Sequence, residues 1–114
     1  MNSINIFSVT FIFIMLIPAC AKPFQPPPPA IDMWVKPGVE SDEVRKNLLG
    51  CGFPNAAGFV GSIRKKFKLS DEVRAEQCMF RKGFRYKDGW GGLCTIENAS
   101  YQAACDSVRI ERDT

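Results

Sequence analysis

The distribution of charge divides this chain sharply at Cys20. All 15 lysine and arginine residues and all 12 aspartate and glutamate residues follow it, whereas residues 4–17 are apolar almost throughout. A permanent membrane-spanning helix needs roughly 20 apolar residues, so this segment is too short to be one. Its length is typical of the apolar core of a secretory signal. We therefore predict that residues 1–19 form a signal peptide that is removed.

The residues around the cysteine read Ile17-Pro18-Ala19-Cys20-Ala21. A branched apolar residue three positions before the cysteine and a small residue directly before it resemble the lipobox of bacterial lipoproteins. The resemblance implies that Cys20 is lipidated, with acyl chains such as palmitate that anchor the mature chain to a membrane. In a Gram-negative cell, Ala21 at the next position implies transfer to the outer membrane.

The same residues allow a second interpretation. Ala19 and Ala21 also fit the small-x-small pattern of an ordinary signal peptidase, which would release a soluble periplasmic or secreted domain. Either route removes Cys20 from disulfide pairing and leaves an even set of four cysteines. In a small exported domain this number predicts two disulfides. The four are Cys51, Cys78, Cys94 and Cys105.

Proline content separates the expected anchor from the expected folded part. Residues 20–32 comprise the candidate lipidated cysteine and a tether with four consecutive prolines. Such a run favours the extended polyproline II helix and acts as a semi-rigid spacer. We expect a small disulfide-stapled domain at residues 33–108 and a frayed polar tail at residues 109–114.

The domain is predicted to be small and mainly-α or α+β, with two short helices and a β-hairpin. Ser41 and Ser70 each precede an Asp-Glu pair, which predicts two helices with serine N-caps and acidic first turns. Residues 54–69 between them are compatible with a strand, a loop or a basic helical turn. The hairpin is expected around Asp88-Gly89, where aromatic and charged residues alternate.

The two predicted helices place two of the cysteines close together. Cys51 follows the first helix and Cys78 lies late in the second, so a bond between them would hold the helical pair together. We favour Cys51–Cys78 with Cys94–Cys105, although the sequence leaves all three connectivities open. Each bond typically adds about 2–4 kcal/mol, which a domain of about eighty residues needs because its apolar core is small.

Several short motifs of the domain resemble a group of short, uncharacterised bacterial lipoproteins. The motifs are W-V-K-P-G from Trp34, C-G-F-P from Cys51, C-M from Cys78 and G-F-R-Y from Gly83. The resemblance implies an anchored, disulfide-stapled domain and no particular activity.

The residue types argue against catalysis. The chain has no histidine, which is the commonest general base and a common metal ligand. The carboxylate pairs Asp42/Glu43 and Asp71/Glu72 occupy successive helix positions that face different directions, so we expect them to cap helices. The cysteines lack the C-x-x-C spacing of zinc and redox sites. We therefore expect no catalytic residue, no metal and no cofactor.

One basic stretch is the candidate binding surface. This basic patch consists of Arg64, Lys65, Lys66 and Lys68. Its alternatives are a solvated face and a surface that attracts an anionic envelope component, such as lipopolysaccharide, anionic lipid or an acidic protein. The net charge is only +3, so we do not expect a nucleic-acid partner.

Two functions are compatible with these features. The first is a membrane-anchored, non-enzymatic envelope lipoprotein with a binding or structural role toward an envelope partner. The alternative is a secreted or surface inhibitor, or exclusion factor, that occludes a receptor or an enzyme.

Overall fold

A computed structural model describes residues 28–114 of the chain. Short helices dominate this part, together with one pair of two-residue strands. The elements are α1 (Ala30–Met33), β1 (Trp34–Val35), α2 (Ser41–Gly50), α3 (Gly61–Arg64), α4 (Leu69–Arg81), β2 (Arg85–Tyr86), the 3₁₀-helix Leu93–Thr95 and α5 (Ala99–Asp113). The predicted class, a small mainly helical α+β fold stapled by two disulfides, is confirmed.

Both predicted helices form, but neither has serine as its N-cap. The N-cap is Glu40 at α2 and Lys68 at α4. At α4, the Asp71 carboxylate accepts a hydrogen bond of 2.8 Å from the backbone N–H of Lys68, and this bond holds the pKa of Asp71 below its usual value. Acidic side chains in the first turn can satisfy backbone amides and the helix dipole without a serine cap.

The main core lies where α1, β1, α2 and the C-terminal half of α4 meet. Its most deeply buried apolar side chains include Leu48, Met79 and Phe84. Trp34 is buried against them, and its ring stacks on Tyr86 with 4.0 Å between the ring centroids. A second, smaller cluster of Val73, Ala104 and Val108 packs α4 against α5.

The two disulfides join the pairs of cysteines that we favoured. Cys51–Cys78 links the end of α2 to α4, with 5.5 Å between the Cα atoms. Cys94–Cys105 links the 3₁₀-helix to α5, with 5.9 Å between the Cα atoms. The first bond therefore fastens α2 to α4, and the second fastens the 3₁₀-helix to α5.

The antiparallel strand pair joins two segments that are distant in sequence. Trp34 pairs with Tyr86 and Val35 pairs with Arg85. The Asp88-Gly89 stretch does form a turn, since the backbone N–H of Gly89 donates to the carbonyl of Tyr86 at 3.0 Å. The residues after that turn are glycine-rich and lead into the 3₁₀-helix, so β2 pairs with β1 instead of with a following strand.

The folded part extends beyond the expected boundary on each side. The backbone N–H groups of Ala30 and Ile31 donate to the carbonyls of Ala57 and Ala56, at 3.0 and 2.9 Å, so residues 30–32 belong to the domain and not to the tether. At the other end, α5 continues to Asp113 where we expected a frayed tail. Burial of Val108 and the ion pair between Glu111 of α5 and Arg74 of α4 hold its last turns.

Candidate functional site

The structure divides the basic patch into one paired arginine and three exposed lysines. Arg64 donates from Nε and Nη2 to the two carboxylate oxygens of Glu72 on α4, at 2.8 and 3.0 Å. This hydrogen bonding raises the pKa of Arg64. Lys65, Lys66 and Lys68 are exposed, and none of them makes an ion pair within residues 28–114. The patch therefore offers three cations instead of four to a partner.

Glu76 is a buried carboxylate that the sequence did not single out. Only 1% of it is exposed. Its Oε2 accepts a hydrogen bond of 2.5 Å from the Tyr86 hydroxyl, and its Oε1 accepts one of 2.8 Å from the backbone N–H of Leu93. Burial raises the pKa of Glu76, and the two hydrogen bonds oppose that rise. Through this one carboxylate, α4 is joined to β2 and to the 3₁₀-helix.

Glu72 and Glu76 form an acid pair on the wall of an apolar cavity of about 210 Å³. The cavity is otherwise lined largely by aromatic and small side chains, including those of Trp34, Phe53 and Phe59. Every carboxylate oxygen of the acid pair already accepts a hydrogen bond. Fully satisfied buried networks of this kind specify the packing of a core, so we assign the acid pair a structural role.

The signal for the acid pair was present in the sequence. Glu72, Ala75, Glu76 and Met79 recur at the spacing of one helix face, and all four are buried in α4. The adjacent positions of Asp71 and Glu72 predicted that both residues cap the helix. That prediction is correct for Asp71 and wrong for Glu72, because the Glu72 side chain is buried and its carboxylate accepts hydrogen bonds from Arg64.

A second cavity, of about 270 Å³, lies between α4 and α5 and is lined by three arginines. We call it the arginine groove. Arg81 lines it from the end of α4, and Arg109 and Arg112 line it from successive turns of α5. The remaining lining comes from the Cys94–Cys105 disulfide, Val73, Val108, Gln77, Gln102 and Asp106.

Two of the three arginines of the groove have carboxylate partners on their own helix. Arg109 Nη2 lies 3.2 Å from Asp106 Oδ1, and Arg112 Nε lies 3.3 Å from Asp113 Oδ1. Arg81 makes no ion pair in the part of the chain that the structure describes. The groove thus combines three guanidinium groups with a single lining carboxylate, that of Asp106.

The remaining sequence predictions concern lipidation, metal binding and membrane spans. Cys20, the predicted lipidation site, lies outside the described residues. Among residues 28–114, no group of three or more His, Cys, Asp or Glu side chains is arranged to hold a metal ion. No helix in that same range is long and apolar enough to span a membrane.

Comparison with known proteins does not place the chain in a family. No family model, no curated protein and no solved structure matches it.

Proposed function

We propose that this chain is a lipid-anchored, non-enzymatic lipoprotein of the cell envelope, held at the outer membrane, whose small domain binds an anionic envelope component. The proposal combines an N-terminal export and lipidation signal with a stapled domain that presents exposed cations. Each part rests on different residues.

The observation that carries the proposal is the division of the cysteines. The two disulfides use all four cysteines that follow the tether. Such bonds are formed and kept in oxidising compartments outside the cytoplasm. The remaining cysteine, Cys20, lies between Ala19 and Ala21 at the end of the apolar segment. This context favours a thioether bond to lipid.

Binding to an anionic component is supported by the exposed lysines of the basic patch. Lys65, Lys66 and Lys68 follow one another closely, and their ammonium groups are not neutralised by carboxylates of residues 28–114. A local excess of positive charge attracts anionic surfaces over about a Debye length, roughly 8 Å at physiological salt.

The second candidate is a soluble secreted inhibitor or exclusion factor, which Ala19 and Ala21 favour because they fit ordinary signal cleavage. The two candidates differ in their association with other molecules. An inhibitor binds one target tightly, and alanine substitutions in one exposed patch abolish that binding. A structural lipoprotein instead copurifies with several envelope components.

Intact-mass measurement and palmitate labelling test the anchor. We expect the wild-type chain to begin at Cys20, to incorporate label and to fractionate with membranes. Cys20→Ala should lose the label and the membrane association, whereas the tether variant Gln25→Ala should keep both. A soluble, unlabelled wild-type product that begins at Lys22 would replace the anchor with the secreted alternative, and a cytosolic product with reduced thiols would contradict both.

A further inference from the structure

We propose that the arginine groove between α4 and α5 is an anion site that binds a phosphate group. The site is separate from the basic patch, and it goes beyond the proposed function because its chemistry does not depend on whether Cys20 is lipidated. The phosphate would belong to a lipid headgroup or to a soluble phosphate compound, and the experiment below distinguishes these two sources.

The arrangement of the arginines favours a multiply charged anion. Arg81 lines one wall of the groove, and Arg109 and Arg112, three residues apart on α5, line the other. A guanidinium group presents a planar fork of donors that matches the oxygens of a phosphate. A phosphate monoester offers three strong acceptor oxygens and nearly two negative charges, enough to engage more than one of the three forks.

The existing ion pairs of the groove are weak enough to be exchanged. Arg109–Asp106 and Arg112–Asp113 each consist of one hydrogen bond, at 3.2 and 3.3 Å, between side chains that are more than half exposed. Exposed pairs of this kind contribute only about 0.2–1 kcal/mol. Arg81 needs no exchange, since it pairs with no carboxylate of the described chain. The guanidinium groups are therefore available to a stronger acceptor.

The walls of the groove are held at a fixed separation. Val73 and Val108 pack together beneath it, and the Cys94–Cys105 disulfide closes one side. Beside the groove, Arg74 on α4 donates three hydrogen bonds of 2.8–3.0 Å to the Glu111 carboxylate on α5. A ligand then finds its donors on a preorganised frame and does not have to order a loop, which lowers the cost of binding.

Titration of the full-length chain in detergent micelles tests the site. The probes are inorganic phosphate and dihexanoyl phosphatidic acid, and the heat of binding is measured. Dihexanoyl phosphatidylcholine is the comparison with no net charge, because its choline cation balances its phosphodiester. We expect saturable binding of a phosphate-bearing probe that weakens roughly tenfold in Arg81→Gln, the loss of about one charge-assisted interaction. The double variant Arg109→Gln/Arg112→Gln should weaken it at least as much.

The matched control is Arg45→Gln, which removes one exposed guanidinium group of α2 that does not line the groove and should leave binding unchanged. Intact disulfides and wild-type circular dichroism show that each variant is folded. Binding of both probes indicates a general phosphate site, and binding of phosphatidic acid alone indicates a headgroup site. No saturable binding, or equal weakening by Arg45→Gln and Arg81→Gln, would overturn the proposal. Palmitate labelling of the same preparations tests the lipid anchor independently of phosphate binding.

Discussion

The Tyr86 hydroxyl donates a 2.5 Å hydrogen bond to Oε2 of Glu76 and so fastens β2 to the middle of α4. The bond places an ionisable carboxylate in the interior, where desolvation disfavours its charged form. Burial raises the pKa of Glu76, and the nearby Glu72 carboxylate adds to the rise. Burial and the Glu76 contact likewise raise the pKa of Tyr86, so the tyrosine remains a donor over the physiological range.

The first prediction concerns the pH dependence of stability. Because the pKa of Glu76 is higher in the folded than in the unfolded chain, its contribution is fully present below the unfolded pKa. The contribution is lost as pH rises through the folded pKa. Glu76→Gln abolishes this titration, so the free energy of unfolding of the wild type relative to this variant should fall as pH increases from about 4 to neutrality. Urea unfolding of both proteins at several pH values measures the difference, and a difference that grows with pH would contradict the assignment.

The second prediction concerns the donor in the same hydrogen bond. Tyr86→Phe leaves Oε2 of Glu76 buried with its partner removed, which should lower the free energy of unfolding by about 1–3 kcal/mol. Tyr101→Phe is the matched control, because the Tyr101 hydroxyl makes no hydrogen bond among the described residues, and it should change stability by less than about 0.5 kcal/mol. Urea unfolding checks both variants. Equal losses in the two would show that the Glu76–Tyr86 bond contributes nothing specific.

The third prediction concerns the close approach of the glycine loop to Glu76. Gly92 has φ +98°, and a Cβ there would lie 2.9 Å from Cε2 of Phe80 and also too close to the Glu76 carboxylate. Gly92→Ala should therefore cost at least about 2 kcal/mol from strain and overpacking together. Gly89 has φ +80° with nothing within 4 Å of the added Cβ, so Gly89→Ala should show the backbone penalty alone. Similar unfolding midpoints for the two variants would argue against the packing at Gly92.

Much of the fold could be predicted because its signals are local. The start of α4 near Ser70 follows from spacing along one helix. The positions of Cys51 and Cys78 relative to the two predicted helices favoured their pairing, although the sequence left all three connectivities open. The burial of Glu72 and Glu76 could not be predicted in the same way, because their partners Arg64 and Tyr86 come from other segments. Local spacing indicated the helix face, but only the tertiary structure shows which groups hydrogen-bond to the two carboxylates.

The strand pairing and the candidate sites likewise depend on contacts between distant segments. Trp34 pairs with Tyr86 because stacking their rings buries apolar surface, and no local turn specifies that register. The basic patch could be recognised in the sequence because its residues are nearly consecutive. The arginine groove could not, because Arg81 lies on α4 whereas Arg109 and Arg112 lie on α5. A site whose residues come from different helices depends on tertiary packing, so the local charge pattern of the sequence does not predict it.

The fourth prediction compares the two disulfides. In the chain-entropy description, a disulfide that closes a longer loop gives more stabilisation. The sequence separation of 27 between Cys51 and Cys78 corresponds to about 3.5 kcal/mol. The separation of 11 between Cys94 and Cys105 corresponds to about 2.8 kcal/mol. The double variant Cys51→Ser/Cys78→Ser should therefore be less stable than the double variant Cys94→Ser/Cys105→Ser. Urea unfolding measures the order, with the oxidised wild type as reference. The reverse order would show that native packing, rather than loop length, decides their contributions.

The fifth prediction concerns the last turns of α5. Glu111→Gln weakens the fork from Arg74, but both side chains are about half exposed, so the free energy of unfolding should fall by less than about 1 kcal/mol. The effect should instead be local, because the fork is the ion pair that joins the end of α5 to α4. Amide hydrogen exchange should become faster at residues 109–113 and stay unchanged near Ala104, which is buried beside the disulfide. Asp106→Asn is the control, since it removes an ion pair within α5 and leaves the fork intact. Equal acceleration in both variants would show that helix charge, and not the contact between the helices, holds the end of α5.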